Sequence, residues 1–224
     1  MLQLFVSGLA NGSVYGLIAM GFVLIYKATE AVNFAQGDFM MFGAFLMISL
    51  GNSANFGLPF GVAALGTIVL MGIVGYVVDR LLLRRVAGES QTSIIILTIA
   101  LGFVLRFIAG LIWGFNPAAL ENPFVGHEIR LGSVVLGLED VAVIVITLLL
   151  TGGLYLFFQR TRLGLAMLAA SQNQLAAYYM GVPVKRVQGL VWGLSGVLAG
   201  VAGILFATKG TVDPSTGMLG IKAF

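Results

Sequence analysis

Long apolar runs broken by short polar interruptions set the pattern of this chain. Residues 2–25 are almost continuously apolar until Lys27 and Glu30. At about 1.5 Å per residue such a run crosses a hydrocarbon layer of about 30 Å, so it predicts a spanning helix. The same pattern predicts spans over about 32–50, 58–78, 94–113, 141–158 and 188–208. The expected architecture is an all-α polytopic membrane protein with about six transmembrane helices in a single domain, residues 1–224. Two longer connections join them, about 114–140 and about 159–187. In the first, residues 129–137 read as two β-prone pieces around Gly132-Ser133, a small external hairpin. Thr211 to Gly220 reads as a polar loop rich in Gly, Pro, Ser and Thr. Ile221 to Phe224 reads as the beginning of a further segment, so the chain is expected to be C-terminally truncated.

Charge orients the runs. Arg80, Arg84 and Arg85 follow the third run; Arg160, Arg162, Lys185 and Arg186 follow the fifth. Basic connections stay in the cytoplasm, which puts both of these inside. Residues 114–140 carry Glu121, Glu128, Glu139 and Asp140 against Arg130 alone, which fits the outside. Counting back, Lys27 is inside and the N-terminus outside. No Lys or Arg precedes the first run, so it reads as a retained helix and not a cleaved signal.

Composition narrows the function classes. Of 224 residues, 59% are hydrophobic and 9% charged, and the mean hydropathy is +1.03. A soluble domain carries roughly 25% charged residues, which excludes an ordinary soluble enzyme, a disordered chain and a nucleic-acid binder. There is no cysteine and one histidine, His127, so neither thiol chemistry nor a histidine metal cluster is expected. No Gly-x-x-x-x-Gly-Lys-[Ser/Thr] phosphate loop occurs, so ATP chemistry, if any, belongs to another chain.

The polar residues inside the runs are the candidate chemistry. Gln3, Ser7 and Asn11 share one stripe of the first helix at four-residue spacing. Gly8, Gly12 and Gly16 beside them offer two overlapping small-xxx-small steps for helix packing. The stripe either bonds to a neighbouring helix or lines a pathway. The second run opens Asn33-Phe34-Ala35-Gln36-Gly37-Asp38, with three strongly polar side chains in its first turns. An unpaired carboxylate at the centre of a span costs about 2.5–3.5 kcal/mol, so Asp38 marks a pathway or a buried network with backbone amides or Lys27. Gly37 would allow a bend there. Arg106 either snorkels to the interface or pairs with an acid. Gly193, Gly196, Gly200 and Gly203 predict a close helix–helix seam along one face of the sixth helix.

The 159–187 connection contains a short helix over about 172–180. Ser171 and Gln174 have capping-box spacing, and Gly181 and Pro183 are stop signals. Nine residues make about 13.5 Å, too short to span. Leu175, Ala176, Ala177, Tyr178 and Tyr179 then present contact-prone side chains beside basic flanks. That suits docking to a partner protein, or lying on lipid.

Two stretches carry a resemblance. Gly16-Leu-Ile-Ala-Met-Gly-Phe-Val-Leu-Ile-Tyr-Lys27 with Val32-Asn-Phe-Ala-Gln-Gly-Asp38 resembles the N-terminal hallmark of the permease subunits of bacterial ABC importers for branched-chain amino acids, the shorter permease of the pair. Arg160-Thr-Arg-Leu-Gly-Leu-Ala166, Ala176-Ala-Tyr-Tyr-Met-Gly181 and the glycine-rich last helix are similar to their ATPase-coupling region. Leu175 stands where the general ABC permease loop has an acid. The resemblance implies an inner-membrane permease, not itself an enzyme, with no cofactor of its own. A second permease, two ATPase subunits carrying ATP and magnesium, and a periplasmic binding protein would complete it. Residues 172–181 would couple to the ATPases, and the segment Asn33 to Asp38 with Asn11 would lie on the substrate pathway. An ion-coupled secondary transporter centred on Asp38 is the alternative.

Overall fold

The computed structural model describes residues 2–29, 32–86, 90–122, 128–131 and 134–223. Helix α1 covers Leu2–Thr29, α2 Gln36–Gly51, α3 Phe60–Leu81 and α4 Gln91–Trp113. Helix α5 covers Leu138–Arg160, α6 Arg162–Gln172, α7 Gln174–Tyr179, α8 Val184–Lys209 and α9 Leu219–Ala223. Two small antiparallel pairs complete the chain. Strand β1 (Ala118–Ala119) pairs with β4 (Thr211–Val212), and β2 (Glu128–Leu131) with β3 (Val134–Gly137). The second pair is the hairpin expected from the sequence; its turn, Gly132-Ser133, lies outside the described residues, as do Glu30, Glu89, His127 and Phe224.

Among the described residues five helices, α1, α3, α4, α5 and α8, are long and apolar enough to cross a membrane. The second expected run differs. Its helix is α2, 16 residues, which at about 1.5 Å each is shorter than a hydrocarbon layer of about 30 Å. The polar residues at its start explain this: Asn33 Oδ1 accepts from the Ala35 backbone N–H, so the chain turns before the helix begins. That start lies inside the bundle, level with Thr98 of α4 and Ser195 of α8, and α2 is buried along most of its length.

Helix α8 is the centre, packed mainly on α3, α2 and α1. Its glycines allow the approach. A Cβ at Gly196 would collide with the Met71 carbonyl of α3, and one at Gly203 with the Met40 carbonyl of α2. The predicted seam therefore exists, but it is shared between two neighbours: Gly193, Gly196 and Gly200 face α3, and Gly203 faces α2. The seam expected at Gly8, Gly12 and Gly16 does not form within this chain, because a Cβ at any of them meets no atom within 4 Å. A glycine stripe permits close approach; here nothing in the chain takes it up. Leu65, Val69, Phe103, Phe107, Leu148 and Leu149 point outward from α3, α4 and α5, as expected of helices in lipid.

After α8, residues 211–223 are more ordered than a loop. Asp213 caps a 3-10 turn, Pro214–Met218, through a reciprocal bond with Thr216, and the turn leads into α9. This segment folds back against the start of α2: a Cβ at Gly37 would strike the backbone of Gly217 and Gly220. Gly37 thus serves close approach, not the bend expected of it.

Candidate functional site

Two polar assemblies and one exposed helix hold the candidate residues. The first assembly is at the start of α2. Asn33 Nδ2 donates to Gln36 Oε1 (3.2 Å), and Ser195 Oγ of α8 donates to the same oxygen (2.9 Å). Gln36 Nε2 reaches the Ser195 carbonyl at 3.4 Å. Thr98 Oγ1 of α4 accepts the Phe34 backbone N–H. Asp38, 1% exposed, is held by Arg106 through two bonds, Nε to Oδ1 at 2.6 Å and Nη2 to Oδ2 at 3.2 Å. The partner of Asp38 is therefore neither Lys27 nor backbone amides. Burial in a low-dielectric interior demands such pairing, because either charge alone would be heavily penalised. The space is tight: a Cβ at Gly102 or Gly217 would run into the Asp38 carboxylate.

The second assembly joins three helix ends. Lys209, the last residue of α8, forms an ion pair with Asp140 in the first turn of α5 (Nζ to Oδ1, 2.7 Å) and donates to Asn11 Oδ1 of α1 (2.7 Å). Ser7 Oγ donates to the other carboxylate oxygen. The placement follows helix electrostatics, an acid at a helix start and a base at a helix end. These side chains border a half-open cavity of about 490 Å³. Nearby, Glu121 accepts from both the backbone N–H and the hydroxyl of Ser53, which hold its carboxyl below the usual range. Asn52 bonds residues 119 and 121 in the same region.

The opposite end of the bundle carries the basic connections. Arg84 pairs with Asp79 at 2.8 Å and donates to the Lys185 carbonyl at the start of α8. Asp140 thus meets the end of α8 and Arg84 its start, so among the described residues these acidic and basic side chains lie at opposite ends, as charge alternation required.

The exposed helix corrects one expectation. The short helix expected over about 172–180 with Ser171 as its cap is α7, which starts at Gln174 behind Asn173, and Ser171 belongs to α6. Asn173 separates the two helices with an extended backbone (φ −158°, ψ 103°), and its side chain caps α7 by accepting from the Ala176 N–H. The Ser171 hydroxyl turns back to the Leu168 carbonyl within α6. Helix α7 buries Ala177 and exposes Leu175, Tyr178, Tyr179 (77%) and Met180 (85%). It ends at Gly181, whose φ of +85° suits only glycine without strain. Gln174 ties it inward: Nε2 donates to the Ala28 carbonyl at the end of α1, and Oε1 accepts from Gln188 of α8.

A family model described as the permease component of branched-chain amino acid transport systems matches residues 4–224. The chain belongs to that family. It is 30% identical to the high-affinity branched-chain amino acid transport system permease protein BraD of Pseudomonas aeruginosa, over all of this chain and 76% of BraD. It is 28% identical to LivH of Escherichia coli K12, again over the whole chain and 76% of the relative. A probable branched-chain amino acid transport permease of Methanocaldococcus jannaschii is 32% identical, over 91% of this chain and 65% of its own. No solved structure gives a significant match.

Within this permease the structure brings Asn33, Phe34, Gln36, Gly37 and Asp38 together and places Asn11 apart, at the open cavity. Sequence reasoning missed Lys209 and the partnership of Asp140 with Ser7. One signal was available: a lysine ending the last long helix and an acid opening another suggest helix ends at one level.

Proposed function

We propose that this chain is a non-catalytic permease subunit of an ATP-driven importer for branched-chain or related amino acids. It forms the pathway with a second permease, and ATPase subunits drive it through α7. A periplasmic binding protein delivers substrate at the end marked by Lys209, where the N-terminus lies, while the basic connections face the cytoplasm. The observation that carries this reading is the construction of α7. A helix too short to span exposes a cluster of apolar and aromatic side chains, yet Gln174 joins it by hydrogen bonds to α1 and α8. Force applied to α7 reaches α1 and the central helix α8. The glycine contacts of α8 with α3 and α2 let packed helices slide without large voids.

The buried network at the start of α2 then acts as the fixed core around which helices move, and the segment Asn33 to Asp38 borders the route. Ion-coupled transport is disfavoured by the state of Asp38: its two oxygens are already occupied by Arg106. The deciding experiment uses the complete complex purified from its own membranes and placed in liposomes. Stimulation of ATP hydrolysis by loaded binding protein, with uptake of radiolabelled L-leucine, is expected. Uptake driven by an ion gradient without a co-purifying ATPase would overturn the reading.

A further inference from the structure

The cavity beside Lys209 has a polar end and an apolar end, and the polar end holds charges of both signs. Lys209 Nζ uses two of its three N–H donors, on Asp140 and Asn11. Asp140 accepts one bond on each oxygen, from Lys209 and Ser7, and each oxygen keeps a further acceptor position. Both side chains remain partly accessible, 17% and 12%. Glu139 adds a second carboxylate to the rim. Below them the wall is apolar: Val14, Ile18, Met40, Phe206 and Leu219. A volume of about 490 Å³ and a few convergent polar groups above an apolar floor are what a small-molecule site requires.

We infer that this cavity receives a zwitterionic aliphatic α-amino acid, with the substrate carboxylate on Lys209, its ammonium on Asp140 and its side chain against Phe206 and Leu219, the partly exposed apolar residues of the wall. The ligand class follows from the charges. A lone anion would meet Asp140 and Glu139, and a lone cation would meet Lys209. A neutral amide would use neither charge. A zwitterion laid alongside the Asp140–Lys209 pair completes a square of alternating charges and leaves neither partner unpaired. The inference rests on the importer reading above and adds which atoms recognise the amino-acid head group. It also gives α1, α5 and α8 a shared reason to move, since the site is built from the ends of all three.

The test uses the complete complex in nanodiscs, with binding protein carrying the diazirine analogue of L-leucine, trapped with ATP and vanadate and then irradiated. Mass spectrometry is expected to place the label on Phe206 or Leu219, and excess L-leucine is expected to suppress it. Label confined to the other permease, or to residues away from this cavity, would overturn the inference. In liposomes, Asp140→Asn and Lys209→Met are each expected to lower L-leucine uptake about tenfold or more, the effect of one charge-assisted hydrogen bond. The charge exchange Asp140→Lys with Lys209→Asp keeps an ion pair but reverses its polarity. Uptake should stay low in it although the complex assembles; full recovery would show a purely structural pair and overturn the inference. Wild-type uptake in the same liposomes separates the two readings. Its absence refutes the importer, whereas its presence with unaffected variants refutes only the cavity.

Discussion

Arg106 holds Asp38 in a two-point ion pair that bridges α4 and the start of α2 in the interior of the bundle. The pair sits where the segment after α8 folds back, since Gly217 lies directly against the Asp38 carboxylate. Three parts of the chain distant in sequence therefore meet at one buried charge pair.

Removing one partner strands the other. Arg106→Leu and Asp38→Leu are each expected to destabilise the permease, Arg106→Leu by about 3–5 kcal/mol, the scale for an unpaired buried charge. The double variant Asp38→Leu with Arg106→Leu should be less destabilised than Arg106→Leu alone. Thermal unfolding of the purified complex in detergent reads this directly. A double variant as unstable as the sum of the singles would mean that the two residues act separately.

The glycines divide into two sets with opposite outcomes. Gly196→Ala and Gly75→Ala drive a methyl group into a facing backbone carbonyl and should cost about 1–3 kcal/mol. Gly8→Ala and Gly12→Ala meet open space within this chain and should leave its own stability unchanged or raise it by about 0.5–1 kcal/mol. Melting temperatures of the four variants of the isolated subunit test the contrast.

Docking through α7 predicts a split between two activities. Gly181→Val forces a branched side chain into a left-handed conformation, and Gln174→Ala cuts the tie to Ala28. Each is expected to lower substrate uptake per ATP hydrolysed, while ATP hydrolysis by the complex persists. Simultaneous assay of phosphate release and L-leucine uptake gives the ratio; an unchanged ratio in both variants would remove α7 from the coupling route.

The cap of α7 is a simpler test. Asn173→Ala should destabilise this helix by about 0.5–2 kcal/mol, and Ser171→Ala should have little effect on it. Amide exchange over residues 174–180 distinguishes the two.

Acid should loosen the connection between α2 and β1. Glu121 has its pKa lowered from the ordinary 4.5, first by the Ser53 backbone N–H and then by its hydroxyl. A depressed carboxyl contributes stability above its unfolded pKa and loses it as pH falls through the folded one. The stability difference between wild type and Glu121→Gln, measured by thermal unfolding, should therefore be present at neutral pH and shrink below about pH 4.5.

Several elements were legible because they depend on local composition. Apolar runs at spanning length predicted α1, α3, α4, α5 and α8, and Gly132-Ser133 between β-prone pieces predicted the β2–β3 pair. The charge distribution placed the acidic and basic connections at opposite ends. The Gly193 to Gly203 spacing announced a close seam because a helix repeats its faces every three to four residues. The cap of α7 was misplaced because Ser171 and Asn173 are both good caps locally. Which one serves depends on where α6 stops against the bundle.

Pairing across the chain was beyond local reasoning. Asp38 and Arg106 are 68 positions apart, and Lys209 and Asn11 are 198 apart. By itself the sequence determined the five long apolar helices and that buried charges among them require partners, since water is absent from hydrocarbon. Only the tertiary structure decided which charge meets which, that α2 begins inside the bundle, and that Gly8, Gly12 and Gly16 stay open. Those outcomes depend on how the helices pack against one another, and spacing along a single helix carries no record of its neighbour.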